Sequence, residues 1–274
     1  MALGGGERGQ NRENYKNKTM TKEIIKRIEV QNISKSFSAD CRSSIGALST
    51  FINFVTFKKE KKDIVVADNI SFDVYSGEVL GLIGKNGAGK SSLLRLIAEI
   101  YRPTSGKIKT HGSVVYLTGV EQGIVPRLTM RENIHLMGSV LGLSQKDIRK
   151  KFEDIVEFSG LRDHVDMKVY QFSTGMISRL NFSVMINCVN HHNPDVLLID
   201  EVLSAGGDAD FQEKATQKME ELIKGGAAVI LVSHDVAVIK KYCNKVLWLD
   251  GGTIKESGSS DVIIELYERN APIL

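Results

Sequence analysis

The chain has 274 residues, 42% of them hydrophobic, and a net charge of only +3, enough for one large α/β domain and too balanced to argue for a nucleic-acid partner. No apolar run approaches the roughly 20 residues that cross a bilayer, and the first residues lack the apolar core of a secretory signal, so any membrane work is expected from another chain. Cys41, Cys188 and Cys243 are far apart, odd in number and free of C-x-x-C spacing, which reads as reduced thiols of a cytosolic protein or simply as small buried hydrophobes.

Residues 1–22 are rich in Gly, Asn, Lys, Glu and Arg and nearly devoid of apolar side chains, so they read as a flexible lead-in. Strand-like patterning begins with Ile28, Val30 and Ile33, and Phe37 ends that segment. Between residues 38 and 63, Ile45, Leu48, Phe51, Ile52 and Val55 recur at helical spacing, with Lys58, Lys59, Lys61 and Lys62 just after them. Such a helix lies along a membrane or partner surface, or else packs its apolar face on the body and leaves its lysines solvated; the pattern fits both. Ile70, Phe72 and Val74 alternate with polar residues as in a half-exposed strand, and Ser76-Gly77 turns the chain into Val79-Leu80-Gly81-Leu82-Ile83, a run suited to burial on both faces.

Directly after that run comes Gly84-Lys85-Asn86-Gly87-Ala88-Gly89-Lys90-Ser91-Ser92, which matches the phosphate-loop pattern G-x-x-x-x-G-K-[ST]. Leu93, Leu94, Leu96, Ile97 and Ile100 follow at helical spacing, so the loop sits between a strand and a helix, as its chemistry requires. Glycines let successive N–H groups turn inward onto a polyphosphate, and the helix adds the positive end of its dipole. Lys90 is placed to reach the β and γ phosphates and the Ser91 hydroxyl to hold Mg²⁺.

Pro103 to Gly106 reads as a turn, and Val114, Val115 and Leu117 as a short strand. From about residue 129 to 192 the pattern is helical with polar loops, a subdomain set into the α/β body. Strand character returns at 196–199 and 228–232 around a helix near 211–224; this alternation implies a parallel sheet with ligands at the carboxyl ends of its strands. Val246 to Ile254 reads as a hairpin about Asp250-Gly251-Gly252, and residues 255–274 as a short, mostly helical tail. The strand ending in Asp200-Glu201 offers one carboxylate for Mg²⁺, Asp200, and one to take a proton from an attacking water, Glu201. His234 follows the next strand and is suited to reach the γ phosphate. His135, His164 and the pair His191-His192 lack ligand spacing and read as packing or loop residues.

Phosphate loop, Asp-Glu strand and His234 in this order, with Phe172-Ser173-Thr174-Gly175-Met176 between the first two, resemble the nucleotide-binding subunit of ABC transporters over about residues 28–254. The resemblance implies an α/β fold: a phosphate-loop NTPase core with a mostly parallel sheet, an antiparallel β subdomain and an inserted α-helical subdomain, spanning residues 23–254. It implies that two copies sandwich two ATP molecules, with Ser173 and Gly175 of one facing the phosphates held by Gly84, Asn86, Gly87, Ala88, Gly89, Lys90, Ser91 and Ser92 of the other. Phe37 matches the aromatic that stacks on adenine, with Phe57 as the alternative, and Gln122 stands nearest the glutamine linked to Mg²⁺ and water. Its spacing to Asn133 is shorter than in the family, the loop Ser204 to Asp208 is one residue longer, and Glu99 replaces a common glycine.

Thr174-Gly175-Met176 with Arg179-Leu180, and Ile199 to Leu203, resemble the exporters of bacterial surface polysaccharides and polyol phosphates, O-antigen, capsule and teichoic acid among them. Also similar are Pro103 to Gly106 and Leu128 to Ile134, which are shared more widely. That branch implies a separate permease, a homodimer of the ATPase subunit and a peripheral place on the cytoplasmic face of the membrane. Rival readings are a soluble ABC-type ATPase acting on ribosomes or DNA, and a phosphate-loop kinase or nucleotide switch.

Overall fold

The computed structural model describes residues 25–38, 63–118, 123–189, 194–202 and 208–270. The lysine-flanked helix read within 38–63, Cys41, Phe57, Gln122, the His191-His192 pair and most of the Ser204–Asp208 loop lie outside the described residues.

A six-stranded sheet in the order β5-β6-β7-β3-β8-β9 forms the centre. Its strands are β3 (Val79–Ile83), β5 (Val114–Thr118), β6 (Val196–Asp200), β7 (Ala228–Val232), β8 (Lys245–Asp250) and β9 (Thr253–Ser259), all parallel except β9. Every residue of β3, β6 and β7 is buried, as expected of continuous apolar runs covered on both faces. Alternate residues serve different cores. Val79, Leu197, Ile199, Val229 and Leu231 pack with α5 (Ala209–Ile223), α6 (Val236–Tyr242) and α7 (Ser260–Asn270). Leu80, Leu82, Leu198, Ile230 and Val232 face α1 (Lys90–Ile97) and a second, three-stranded antiparallel sheet ordered β2-β1-β4.

That second sheet comprises β1 (Lys26–Ser38), β2 (Asp63–Tyr75) and β4 (Ser105–Thr110). The turn expected at Pro103 to Gly106 instead runs into β4 from Ser105 onward, because Ser-Gly-Lys-Ile-Lys-Thr offers only one apolar residue to an alternation count. Gly106 has φ +82°, and a Cβ there would sit 2.3 Å from the Asn32 carbonyl oxygen of β1, so only glycine fits this close approach. Ile100 falls outside the first helix and is exposed, since α1 ends at Ile97. Glu99 just beyond it adopts φ +58°, the left-handed conformation in which helices commonly place glycine, which explains why glycine is usual there.

The helical segment consists of α2 (Met130–Val140), α3 (Gln145–Ser159), two short 3₁₀ turns and α4 (Thr174–Val189) around Met130, Ile134, Phe152, Ile155, Leu180 and Val184. α4 is buried almost all round from Leu180 to Val189, because Leu180 and Val184 pack in this third core while Phe182, Met185 and Ile186 pack against the main sheet. Residues 255–270, read as part of a short, mostly helical tail, are largely helical and pack on the main sheet. They complete β9 and form α7, whose Ile263 and Ile264 are buried and whose Tyr267 meets Trp248 edge-on at 5.3 Å. Cys188 and Cys243 are buried, with thiols pushed up to about 11 and about 12 by burial, in keeping with the reading of small hydrophobes.

Candidate nucleotide site

The site forms where β3, β7 and β6 end side by side. β7 lies between the other two, and Val232 is level with Leu82 of β3 and with Asp200 of β6. This register brings the loop after β3, the carboxylates after β6 and the histidine after β7 to one edge.

Gly89 precedes α1 with φ +103°, and a Cβ there would lie 2.3 Å from the Val66 carbonyl oxygen, so the loop fits under β2 only with glycine. The Ala88 carbonyl accepts from the Gly252 N–H at 3.2 Å, and the Gly252 carbonyl from the Asp68 N–H at 2.8 Å, which fastens the loop to both sheets. Lys90 is 6% exposed, and its ammonium donates to the carbonyls of Gly84 at 2.7 Å and Lys85 at 3.1 Å. Burial pulls this ammonium below the usual lysine range, while the Glu201 and Asp200 carboxylates act in the opposite sense. A buried cation of this kind is well served by an anionic ligand. Ala88 is buried and Asn86 exposed.

The Ser91 hydroxyl donates to Asp200 Oδ1 at 3.2 Å, and the Tyr116 hydroxyl of β5 donates to Oδ2 at 3.0 Å. Asp200 is 7% exposed. Ser91 and Asp200 together present hard oxygen donors, the set that Mg²⁺ takes from protein when phosphates complete its shell. Glu201 has φ +60°, an uncommon conformation for a residue with a side chain, and such strain clusters at functional sites. Its N–H donates to the Val232 carbonyl at 3.1 Å, and its Oε1 lies 2.7 Å from His234 Nε2. The two side chains read as proton acceptor and phosphate sensor therefore touch.

Ser173 and Gly175 stand apart, at the start of α4. The Ser173 hydroxyl accepts from the Met176 N–H at 3.2 Å, and a Cβ at Gly175 would meet only that hydroxyl, at 4.0 Å. Arg179, one turn on, ties this helix down: its Nε donates to the Ser159 carbonyl at 2.8 Å, Nη2 to the Gly160 carbonyl at 3.2 Å, and Nη1 to Asp208 Oδ2 at 3.1 Å. Asp208 Oδ1 in turn accepts from the Phe211 N–H at 2.9 Å and caps α5, so this aspartate is engaged within its own chain.

Residues 67–204, which carry the phosphate loop, the inserted helical segment and the two strand-tip carboxylates, match the family model described as "ABC transporter". This chain belongs to the ABC transporter family. The O-antigen export system ATP-binding protein RfbB of Klebsiella pneumoniae is 40% identical over 211 residues, covering 77% of this chain and 83% of that protein. The teichoic acids export ATP-binding protein TagH of Lactococcus lactis is 39% identical over 236 residues, 86% of this chain but 47% of that longer relative. Among solved structures, an ATP-binding subunit of an ABC transporter superposes with a TM-score of 0.64 at 23% identity, covering 89% of this chain and 95% of that one. The cassette MJ0796, a dimer bound to ADP and Pi in a post-hydrolysis state, gives 0.62 at 20% identity, covering 85% and 98%. These two likenesses concern the fold alone.

The cassette thus brings together Gly84 to Ser92, Asp200, Glu201 and His234, while among the described residues the one side-chain hydrogen bond shown for Ser173 is to its own helix, at Met176. Phe37 lies at the end of β1 opposite Ile64 of β2, two residues along that strand from Val66, which abuts Gly89. Its ring has the Lys35 ammonium 4.8 Å from its centre and meets Tyr101 edge-on at 5.2 Å. The roles of four residues escaped the sequence reading. Tyr116 sits in a strand recognised only by its apolar neighbours. Asn133, wholly buried, accepts from the Val125 N–H at 2.7 Å and donates to the carbonyls of Val125, Leu128 and Thr129 at 3.1, 3.3 and 2.9 Å. Thr129 and Glu132 form a capping box at the start of α2, for which the spacing Thr-x-x-Glu was the available signal.

Proposed function

We propose that the chain is the ATP-hydrolysing subunit of an exporter that moves a surface polysaccharide, lipid-linked glycan or polyol phosphate through a separate permease. The meeting of Lys90, Ser91, Asp200, Glu201 and His234 at one sheet edge carries the hydrolytic part, and the likeness to O-antigen and teichoic acid export proteins supports the cargo class. In this reading Lys90 leaves the loop carbonyls for the β and γ phosphates, and the N–H groups of Gly87 to Ser92 hold phosphate oxygens. Ser91 and Asp200 hold Mg²⁺, which when bound supplies positive charge against the phosphates. Glu201 takes a proton from the attacking water as the bond from the γ phosphorus to ADP breaks, and His234 orients Glu201 and donates to the departing phosphate. Phe37 stacks on adenine, Gln122 belongs to the Mg²⁺ and water shell, and Ser173 and Gly175 bind the γ phosphate held by a second copy of the chain.

Coupling to transport requires that the permease bind the closed and open dimers differently. The helical subdomain exposes apolar side chains, Val125, Leu136, Val140, Met167 and Tyr170, of which Val140 is 77% and Tyr170 63% exposed. We assign these side chains to contact with the permease, which would hold the subunit peripherally on the cytoplasmic side of the membrane. No helix among the described residues is long and apolar enough to cross a membrane. Recovery of the tagged protein from native membranes after mild cross-linking is expected to bring down a multi-span protein without an ATPase domain of its own. Recovery with ribosomes or nucleic acid and no such protein would overturn the exporter reading while leaving the ATPase chemistry in place.

A further inference from the structure

We infer that Tyr116 is a positioning residue for the divalent cation: its hydroxyl holds the Asp200 carboxylate in the orientation that receives Mg²⁺. The inference rests on the assignment of Asp200 to Mg²⁺ made above. Tyr116 belongs to β5, which pairs with β6 in register, so that Tyr116 stands beside Leu198, two residues before Asp200. From there its hydroxyl reaches Asp200 Oδ2 at 3.0 Å, while Ser91 takes Oδ1 at 3.2 Å.

The direction of the bond follows from its acceptor: an ionised carboxylate only accepts, so the phenol supplies the proton to Asp200. A carboxylate that is 7% exposed and gripped from both sides cannot swing freely. Ser91 is itself one of the groups read as a Mg²⁺ partner, whereas Tyr116 lies outside the phosphate loop and holds the oxygen that Ser91 does not. Supporting partners of this kind orient a ligand and strengthen it, and their loss typically weakens metal binding about 10- to 100-fold.

The test measures nucleotide affinity by fluorescence titration with a labelled ADP, in EDTA and across a Mg²⁺ series, for the wild type, Tyr116→Phe and Asp200→Asn. Phe keeps the ring and removes only the hydroxyl. We expect Tyr116→Phe to bind nucleotide in EDTA as the wild type does, to melt within a few degrees of it, and to need about tenfold more Mg²⁺ for half of the metal-dependent gain in affinity. Equal Mg²⁺ requirements in the wild type and Tyr116→Phe, with Asp200→Asn impaired, would overturn the role of Tyr116 alone. An Asp200→Asn variant that responds to Mg²⁺ like the wild type would overturn the assignment of Asp200 on which the inference rests. Should Tyr116→Phe fail to fold, Tyr116→Leu offers a second route, because it too removes the hydroxyl that holds Asp200 Oδ2 and the Mg²⁺ requirement rises in the same direction.

Discussion

The edge of the main sheet and the start of α4 both carry groups suited to phosphate, yet they differ in how they are satisfied. At the sheet edge Lys90, Asp200 and Glu201 each have an internal partner: Lys90 the loop carbonyls, Asp200 the hydroxyls of Ser91 and Tyr116, Glu201 the His234 ring. At α4 the support comes through Arg179, while Ser173 is exposed and a Cβ at Gly175 would meet only the Ser173 hydroxyl. That difference is what the proposed sharing of a nucleotide between two copies of the chain requires: one copy holds the phosphates at its sheet edge and the other presents Ser173 and Gly175.

Four substitutions separate the two regions, taken from the largest effect to the smallest. Lys90→Ala removes the buried cation, and we expect phosphate release to fall about 10³-fold together with nucleotide affinity. Ser173→Ala should leave nucleotide affinity of the separate chain unchanged in a fluorescence titration while steady-state hydrolysis falls about 10²-fold. Equal losses of affinity and turnover for that variant would erase the distinction. Arg179→Ala removes three hydrogen bonds behind α4 and should cost about 2–3 kcal/mol, read as a shift in the urea midpoint. Hydrolysis should then fall without a change in nucleotide affinity, because the sheet edge does not depend on Arg179. Glu99→Gly relieves a left-handed residue far from α4, and a gain of roughly 0.5–1 kcal/mol in the same measurement is expected with turnover unaltered.

The sheet edge was readable in the sequence because each of its parts is local. Val79 to Ser92 is a continuous strand, loop and helix, and Val196 to Glu201 a buried strand with its carboxylates at the tip; neither needs long-range information. The signature at Ser173 and Gly175 was legible only through family resemblance, since nothing in a Ser-Thr-Gly run dictates what it faces. β4 was missed because one apolar residue in six makes no alternation, and its place is set by β1 beside it. Tyr116 and Arg179 were beyond reach for another reason. Their roles lie in contacts with Asp200 and with Ser159 and Asp208, partners that only the packed fold brings near. Residues 255–274 were read as a mostly helical tail, and 260–270 are helical; the packing of Ile263 and Ile264 was not legible, because they acquire meaning only against the sheet that buries them.

That one chain holds only half of each nucleotide site is tested most directly by light scattering on the Glu201→Gln variant, with and without ATP and Mg²⁺. Loss of the proton acceptor should arrest turnover with ATP in place, so the expected result is a monomer without nucleotide and a particle of twice that mass with it. A monomer under both conditions, with ATP shown to be bound, would contradict a site completed by Ser173 and Gly175 of a second copy.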